Sequence, residues 1–361
     1  MTEYRGNKQS YRLGKKIGAG GEGTVYKIEN APGLAAKIFH DSCKDPDKRR
    51  RKIETMIAYP IRPVVEGILR MAWPQDVLYE GSDFVGYVMP YVKAPYEIFY
   101  VYREDAEREK ILPGYTWKYS VQYAYNLSWV VWYMHMNGIV IGDMNMKNIR
   151  INDKGEVVLI DCDSFDIRDP QTGEHFKCEV GLPEMLAPEL QTVGRLCDGD
   201  FSKESDNFSL AIHIFRLLMK NADPFGAKLI SRRKSSKSES AANAAVINGE
   251  CVYVRDVPGK AAPDWVPPFE MLPEEIRSAF KRTFDYNAVT AMRNRKNRTT
   301  AEEWNRILLK YAQKSPNANL SVCRKNKRHI YPSHNTSCPW CGAATFHDSR
   351  LMSTVRNVVG Y

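Results

Sequence analysis

Three segments of this 361-residue chain hold side chains whose types and spacing suit the handling of phosphate. Gly18-Ala19-Gly20-Gly21-Glu22-Gly23-Thr24-Val25 is a glycine-rich turn whose backbone amides can approach anionic oxygens that a Cβ would keep away. Asp143-Met144-Asn145-Met146-Lys147-Asn148 sets a carboxylate five residues before an amide, and Asp161-Cys162-Asp163 closes the apolar run Val157-Val158-Leu159-Ile160 with two more carboxylates. Lys37 stands 14 residues after Gly23 in the strand-like run Leu34-Ala35-Ala36-Lys37-Ile38-Phe39, and Glu54 follows in a segment of helical texture. A glycine turn alone marks many ordinary loops. With a lysine, carboxylates and an amide in this order, the chemistry is phosphoryl transfer supported by a magnesium ion on oxygen ligands.

A second constellation lies near the C-terminus. Cys323, His329, His334, Cys338 and Cys341 fall within 19 residues, and Cys338-Pro339-Trp340-Cys341-Gly342 is a knuckle whose thiolates can grip a tetrahedral zinc ion. Four ligands suffice, so three cysteines and one histidine are expected, and His329 and His334 compete for the last place. The plainer reading is a set of reduced surface cysteines without metal.

The elements that must position these groups follow from pattern and punctuation. Residues 11–92 read as β-rich, with strands over 11–17, 24–29, 34–39, 77–79 and 84–89 and a helix over 48–59. From residue 111 the texture turns helical: 116–137 carries Tyr119, Tyr123, Leu127, Val130, Val131 and Met134 on one side, and 205–220 and 301–313 also read as helices. The Lys-, Ser- and Ala-rich stretch 229–248 reads as a mobile insertion, and 314–322 as a polar linker. No internal repeat is evident.

Composition bounds the class. Hydrophobic residues at 43% and charged residues at 26% suit a globular protein with a two-lobed domain and a small appendage. Lys and Arg number 52 against 43 Asp and Glu, a net charge of +9, but the basic residues gather in four separate clusters that read as solvated faces. No apolar run reaches the roughly 18 residues of a membrane span, and residues 1–10 lack a signal-peptide core. With scattered cysteines, this points to a cytoplasmic protein with no membrane partner.

At the residues quoted, the chain resembles the eukaryotic-type serine/threonine protein kinases over about 11–312. The resemblance implies a bilobal α+β fold: tail 1–10, β-rich N-lobe 11–92, helical C-lobe 93–313, linker 314–322, zinc-ribbon-like segment 323–345 and tail 346–361. It implies that Gly18, Gly20 and Gly23 fold over ATP, that Val25 and Ala35 sandwich the adenine beside Met89 and Tyr91, and that Lys37 pairs with the α- and β-phosphates. Glu54 would hold Lys37, with Glu66 as rival. Asp143 would accept or orient the substrate hydroxyl proton, and Asn148 and Asp161 would bind Mg2+ or Mn2+. Ala187-Pro188-Glu189, Ser205-Asp206-Asn207 and Arg298-Thr299-Thr300 match later landmarks. Glu189 and Arg298 would form a buried ion pair, and Asp206 would brace the catalytic loop.

The departures from the family pattern carry their own implications. Ile141-Gly142 stands where most members have His-Arg, so the arginine that reads activation-loop phosphate is missing. Asn145 replaces a lysine near the transferred phosphate. Asp163 replaces a glycine, costing backbone freedom and adding a candidate metal ligand. Arg150 falls at the floor of the adenine pocket, to stack on the base or obstruct it. Together these features resemble a bacterial branch with Gly-Asp and Asp-x-Asp motifs and a zinc-type or helix-hairpin-helix tail. The expected function is ATP-dependent phosphorylation of protein Ser/Thr, including autophosphorylation, regulated by a route other than activation-loop phosphate. A pseudokinase or nucleotide-binding scaffold with a docking tail for partner proteins competes. Nucleic acid is the weakest candidate partner and rests on charge alone.

Overall fold

The computed structural model describes residues 2–41, 45–65, 67–103, 105–230, 240–287, 292–312 and 319–341. Glu66, the serines of 231–239, most of the 314–322 linker and the segment beyond 341 lie outside the described residues. The described residues divide into two compact units, one running to Pro95 and including Val158–Phe176, the other formed by Tyr96–Val157 and residues 177–341. The boundary expected at 92–93 therefore misses that 158–176 belongs with the first unit.

The first unit is built on a closed antiparallel sheet in the order β1 (Glu3–Arg5), β2 (Ser10–Ala19), β3 (Gly23–Ile28), β4 (Leu34–Phe39), β8 (Asp83–Pro90) and β7 (Asp76–Glu80). Residues 1–10 are not the free tail expected: Tyr4 pairs with Tyr11, Arg5 faces Tyr79, and this strand closes the barrel. Asp76 holds the closure, accepting from the Tyr11 hydroxyl at 2.9 Å and from the Asn7 and Lys8 amides. Inside pack Tyr11, Ile28, Ala36, Leu78 and Val88. Between β4 and β7 come α1 (Pro46–Ala58) and the short pair β5 (Val64–Val65) and β6 (Ile68–Leu69). Asp45 caps α1 by accepting from the Lys48 amide, and Pro46 fits the first turn, where an amide would have no helical partner. The helix buries Lys52, Ile53 and Met56, and the Trp73 indole fastens it through the Met56 carbonyl at 2.9 Å. β11 (Val157–Leu159) is anchored here by the bridge between Leu159 and Met71.

The second unit is mainly helical. α2 (Asp105–Ile111) precedes α3 (Trp117–Met136), whose buried face carries Val121, Ala124, Leu127, Val131 and Met134. Past the one-turn α4 (Pro188–Gln191) comes α5 (Lys203–Leu218), almost wholly buried and opened by a capping box between Ser202 and Ser205. α6 (Ser240–Ile247) turns the described end of the expected mobile insertion into a helix with Ala245 and Val246 buried. α7 (Glu274–Phe284), absent from the sequence reading, buries Ile276, Ala279, Phe280 and Phe284. α8 (Ala301–Ala312) buries Trp304 and Leu308, and the Phe280 ring bridges Phe215 at 5.1 Å and Trp304 at 4.8 Å. Among the described residues no helix is long and apolar enough to cross a membrane.

Candidate active site

Strand register decides which side chains share a face. Val25 lies opposite Lys37, Lys37 opposite Tyr87 and Ala35 opposite Met89, so all five side chains project from one face of the sheet. Ala35 and Met89 are buried, and the Tyr91 amide donates to the Gly33 carbonyl at 2.8 Å. The turn before them closes through the Gly20 amide and Gly23 carbonyl. A Cβ built at Gly18 or Gly20 would meet nothing within 4 Å, so the fold itself does not demand glycine there; an approaching ligand would. At Gly23 the demand is internal, since a Cβ would fall 2.5 Å from the Ile38 carbonyl oxygen.

The Lys37 ammonium sits among carboxylates, 2.9 Å from both oxygens of Asp163 and 3.2 Å from Asp161 Oδ1. Burial alone would depress its pKa, but the two carboxylates outweigh that and hold it above the ordinary lysine value. Asp163 also accepts from the Tyr87 hydroxyl at 2.8 Å. Burial opposes its ionisation, yet Lys37 prevails and keeps this carboxyl below the usual range. Asp161 is raised instead, by burial and by the neighbouring Asp163 charge.

Glu54, expected to hold Lys37, does not do so. Its carboxylate accepts from Arg50 at 3.1 Å and from the Tyr79 hydroxyl at 3.4 Å. The expectation for Asp163 also changes. The residue with a left-handed backbone is Asp161, at φ 54°, a region in which Asp is enriched, so Asp163 needs no glycine freedom. Both Asp163 oxygens are engaged with Lys37, whereas the Asp161 side chain stays 43% exposed and offers a hard oxygen donor to a cation.

The second unit carries Asp143 and its neighbours, the residues expected to form a catalytic loop. Asp143 is buried and accepts at Oδ2 from Asn145 Nδ2 at 2.5 Å and Asn148 Nδ2 at 2.9 Å. Asn145 is thus a bracket: its oxygen accepts the Lys147 and Asn148 amides while its nitrogen orients Asp143. Asn148 donates through nitrogen, which leaves its carbonyl oxygen as a donor atom for a metal ion. Asp206 braces the loop, accepting from the Ile141 and Gly142 amides at 2.8 and 2.9 Å and contacting His135 Nε2. Gly142 has φ 75°, and a Cβ there would lie 2.7 Å from the Cys178 sulfur. A larger residue is excluded by that buried cysteine as well as by the backbone. Sequence reading missed His213, whose Nε2 reaches the Met144 carbonyl at 2.6 Å while the Tyr102 hydroxyl meets Nδ1 at 2.7 Å. Arg150 is paired across strands β9 (Tyr96–Glu97) and β10 (Ile149–Ile151) with Glu97, 3.5 Å away. Glu189 and Arg298 make two bonds of 2.8 Å, with the guanidinium fully buried.

Cys323, His329, Cys338 and Cys341 bring their ligand atoms within 4.8 Å of one another. The Cys323 and Cys341 sulfurs are 3.6 Å apart, close to the roughly 3.8 Å that a tetrahedron of 2.3 Å zinc–sulfur bonds requires. His329 supplies Nδ1, 3.5 Å from the Cys338 sulfur, and backbone amides led by Asn326 lower the Cys323 thiol to about 7. His334 stands apart from this set, on the Glu270 carbonyl at 3.2 Å.

Comparison with known proteins identifies the family. The protein kinase domain model matches residues 11–304. The chain belongs to the protein kinase family. It is 31% identical over 334 residues to "Protein kinase YegI" of Escherichia coli K12, covering 91% of this chain and 48% of that protein. Against the protein of the same name from Escherichia coli O157:H7, identity is 30% over 345 residues, covering 94% and 50%. The "Putative serine/threonine-protein kinase R436" of Acanthamoeba polyphaga mimivirus is 38% identical over 99 residues, 27% of this chain and 34% of that protein. The chain therefore spans about half the length of the two bacterial relatives.

Proposed function

We propose that this chain catalyses ATP-dependent phosphorylation of serine or threonine in proteins, itself included. The observation that carries the reading is the pairing of prepared groups: a buried Lys37 ammonium on the face below the glycine turn, and an Asp143 carboxylate held at one oxygen by two side-chain amides. Lys37 supplies fixed positive charge for the phosphates of ATP, and the Gly18 and Gly20 backbone admits them. Asp143 takes the hydroxyl proton of the acceptor, its orientation set before substrate arrives, so little reorganisation is needed during transfer. Asp161 in the first unit and the Asn148 oxygen in the second are each hard donors of the kind that holds Mg2+ or Mn2+, an ion that would neutralise phosphate charge.

The tail set of three cysteines and His329 fits a structural zinc ion. Such a thiolate site needs reduced cysteines, which supports a cytoplasmic setting.

Mass spectrometry after incubation with ATP and Mg2+ or Mn2+ tests the activity. Wild type should gain phosphate on Ser or Thr, and Asp143→Ala should lose at least about 100-fold in rate while still binding nucleotide. Tight ATP binding without transfer under either metal would favour the scaffold reading.

A further inference from the structure

In this fold the strand lysine needs a carboxylate to hold it, and helix α1 does not supply one here. Glu54 spends both oxygens on Arg50 and shares one with Tyr79, on a side chain 36% exposed. The α1 residue that is buried two positions earlier is Lys52, a cation. Two carboxylates face Lys37: Asp163 with two bonds of 2.9 Å, its side chain 3% exposed, and Asp161 with one of 3.2 Å, its side chain 43% exposed. Asp163 is held from the other side by the Tyr87 hydroxyl at 2.8 Å, on a residue that lies directly opposite Lys37 in the register of β4 and β8. Relative to the expected arrangement the charges have exchanged places, with the carboxylate moved into the Asp-x-Asp motif and a lysine buried on the helix.

We propose that Asp163 is the positioning residue for Lys37, replacing a helix glutamate, and is not a metal ligand. The inference rests on the kinase reading above and adds to it a mode of control. Tyr87 fixes Asp163, Asp163 fixes Lys37, and both lie on the sheet or on the segment after β11. No α1 residue is a member of this pair, so an α1 shift does not remove it, although the buried Lys52 on α1 adds its charge in favour of the Asp163 carboxylate. Asp161 alone of the two carboxylates is left to bind the cation.

Three variants, Asp163→Asn, Glu54→Gln and Tyr87→Phe, test this against wild type, with kcat, the KM for ATP, the Mg2+ concentration for half-maximal rate, and Kd for ATP measured without turnover. Asp163→Asn should lower kcat/KM by about 100-fold and weaken ATP binding while leaving Mg2+ half-saturation within about twofold. Tyr87→Phe, which keeps the ring and the packing, should act in the same direction with a smaller loss, and covers the case in which Asp163→Asn fails to fold. Glu54→Gln should stay within about twofold of wild type. A tenfold or greater rise in Mg2+ half-saturation in Asp163→Asn would identify a metal ligand and overturn the proposal. A loss in Glu54→Gln equal to that in Asp163→Asn would return the anchor to α1 and overturn it too. Should wild type show no transfer, the kinase reading fails, and the ATP Kd series alone decides the role of Asp163: selective weakening in Asp163→Asn supports it, and equal weakening in Glu54→Gln sinks it.

Discussion

Gly142 carries a prediction about regulation. Its positive φ and its closeness to the Cys178 sulfur exclude the arginine that in related kinases would meet phosphate on the segment that follows. Phosphate placed there would lack that partner. Ser164, one candidate for modification, already uses its hydroxyl on the Asp161 carbonyl at 2.8 Å. Treatment with phosphatase should therefore change kcat/KM by less than about twofold; a large loss that rephosphorylation of Ser164 or Thr172 reverses would mean that another cation has taken the task. Lys37, Asp143, Asn148 and Asp161 could be nominated because each stands at a fixed distance from a glycine turn, an apolar run or another motif residue, and Lys37 meets Asp161 and Asn148 meets Asp143. Glu54 was misread because α1 carries charge on several faces, and spacing does not say whether Lys52 or Glu54 turns inward. Tyr87 could have been found: it lies two residues before Met89 in an alternating strand, hence on the same face.

At the scale of elements, α5 holds the 141–144 loop by two buried side chains. Asp206 takes the Ile141 and Gly142 amides, and His213 reaches the Met144 carbonyl. Burial pushes His213 down to about 4, with the Arg216 charge acting in the same direction and the bond to Met144 opposing it. Neutral His213 donates from Nε2 and accepts the Tyr102 hydroxyl at Nδ1, satisfying both ring nitrogens. The unfolded chain takes up a proton near pH 6.5, before the folded one does, so the stabilisation is complete above 6.5 and is lost as pH falls toward 4. Between pH 7 and pH 5 urea unfolding should show a loss of about 2 kcal/mol from this residue. His213→Gln keeps a donor for Met144 without titrating in this range, and the acid limb of its stability profile should be correspondingly shallower. An unchanged acid limb would place the sensitivity elsewhere. His213 escaped the sequence reading because nothing in a lone histidine within an apolar helix reports the carbonyl it will meet, whereas α7 was missed because prolines and charged residues flank a strongly amphipathic but short segment.

At the scale of the whole molecule, the sequence suggested a tail joined by a linker and folding on its own metal. The described residues integrate it with the second unit. β12 (Leu320–Val322) and β13 (Ile330–Pro332) pair as a hairpin, and Asn335 donates to the Met271 carbonyl at 2.9 Å. Arg328 pairs with Glu109 at 3.0 Å, and the Lys220 ammonium lies 5.2 Å above the Trp340 ring. Trp340 is 9% exposed and sits between the two knuckle cysteines, so a metal ion gripped by those cysteines would also fix the ring. A zinc-ribbon spacing reveals its ligands but not what its outer face touches, because those partners lie far away in sequence.

Zinc removal should accordingly reach beyond the tail. Elemental analysis should find about one zinc per chain, and Cys338→Ser should release it. Freeing Trp340 and Tyr331 exposes apolar area worth about 2 to 3 kcal/mol even if each is only partly released. The second unit should then unfold several °C lower in a single transition, with the indole fluorescence of Trp340 shifted to the red. Two separate transitions, the second at the wild-type temperature, would show instead that the tail folds and melts independently of α3, α7 and α8.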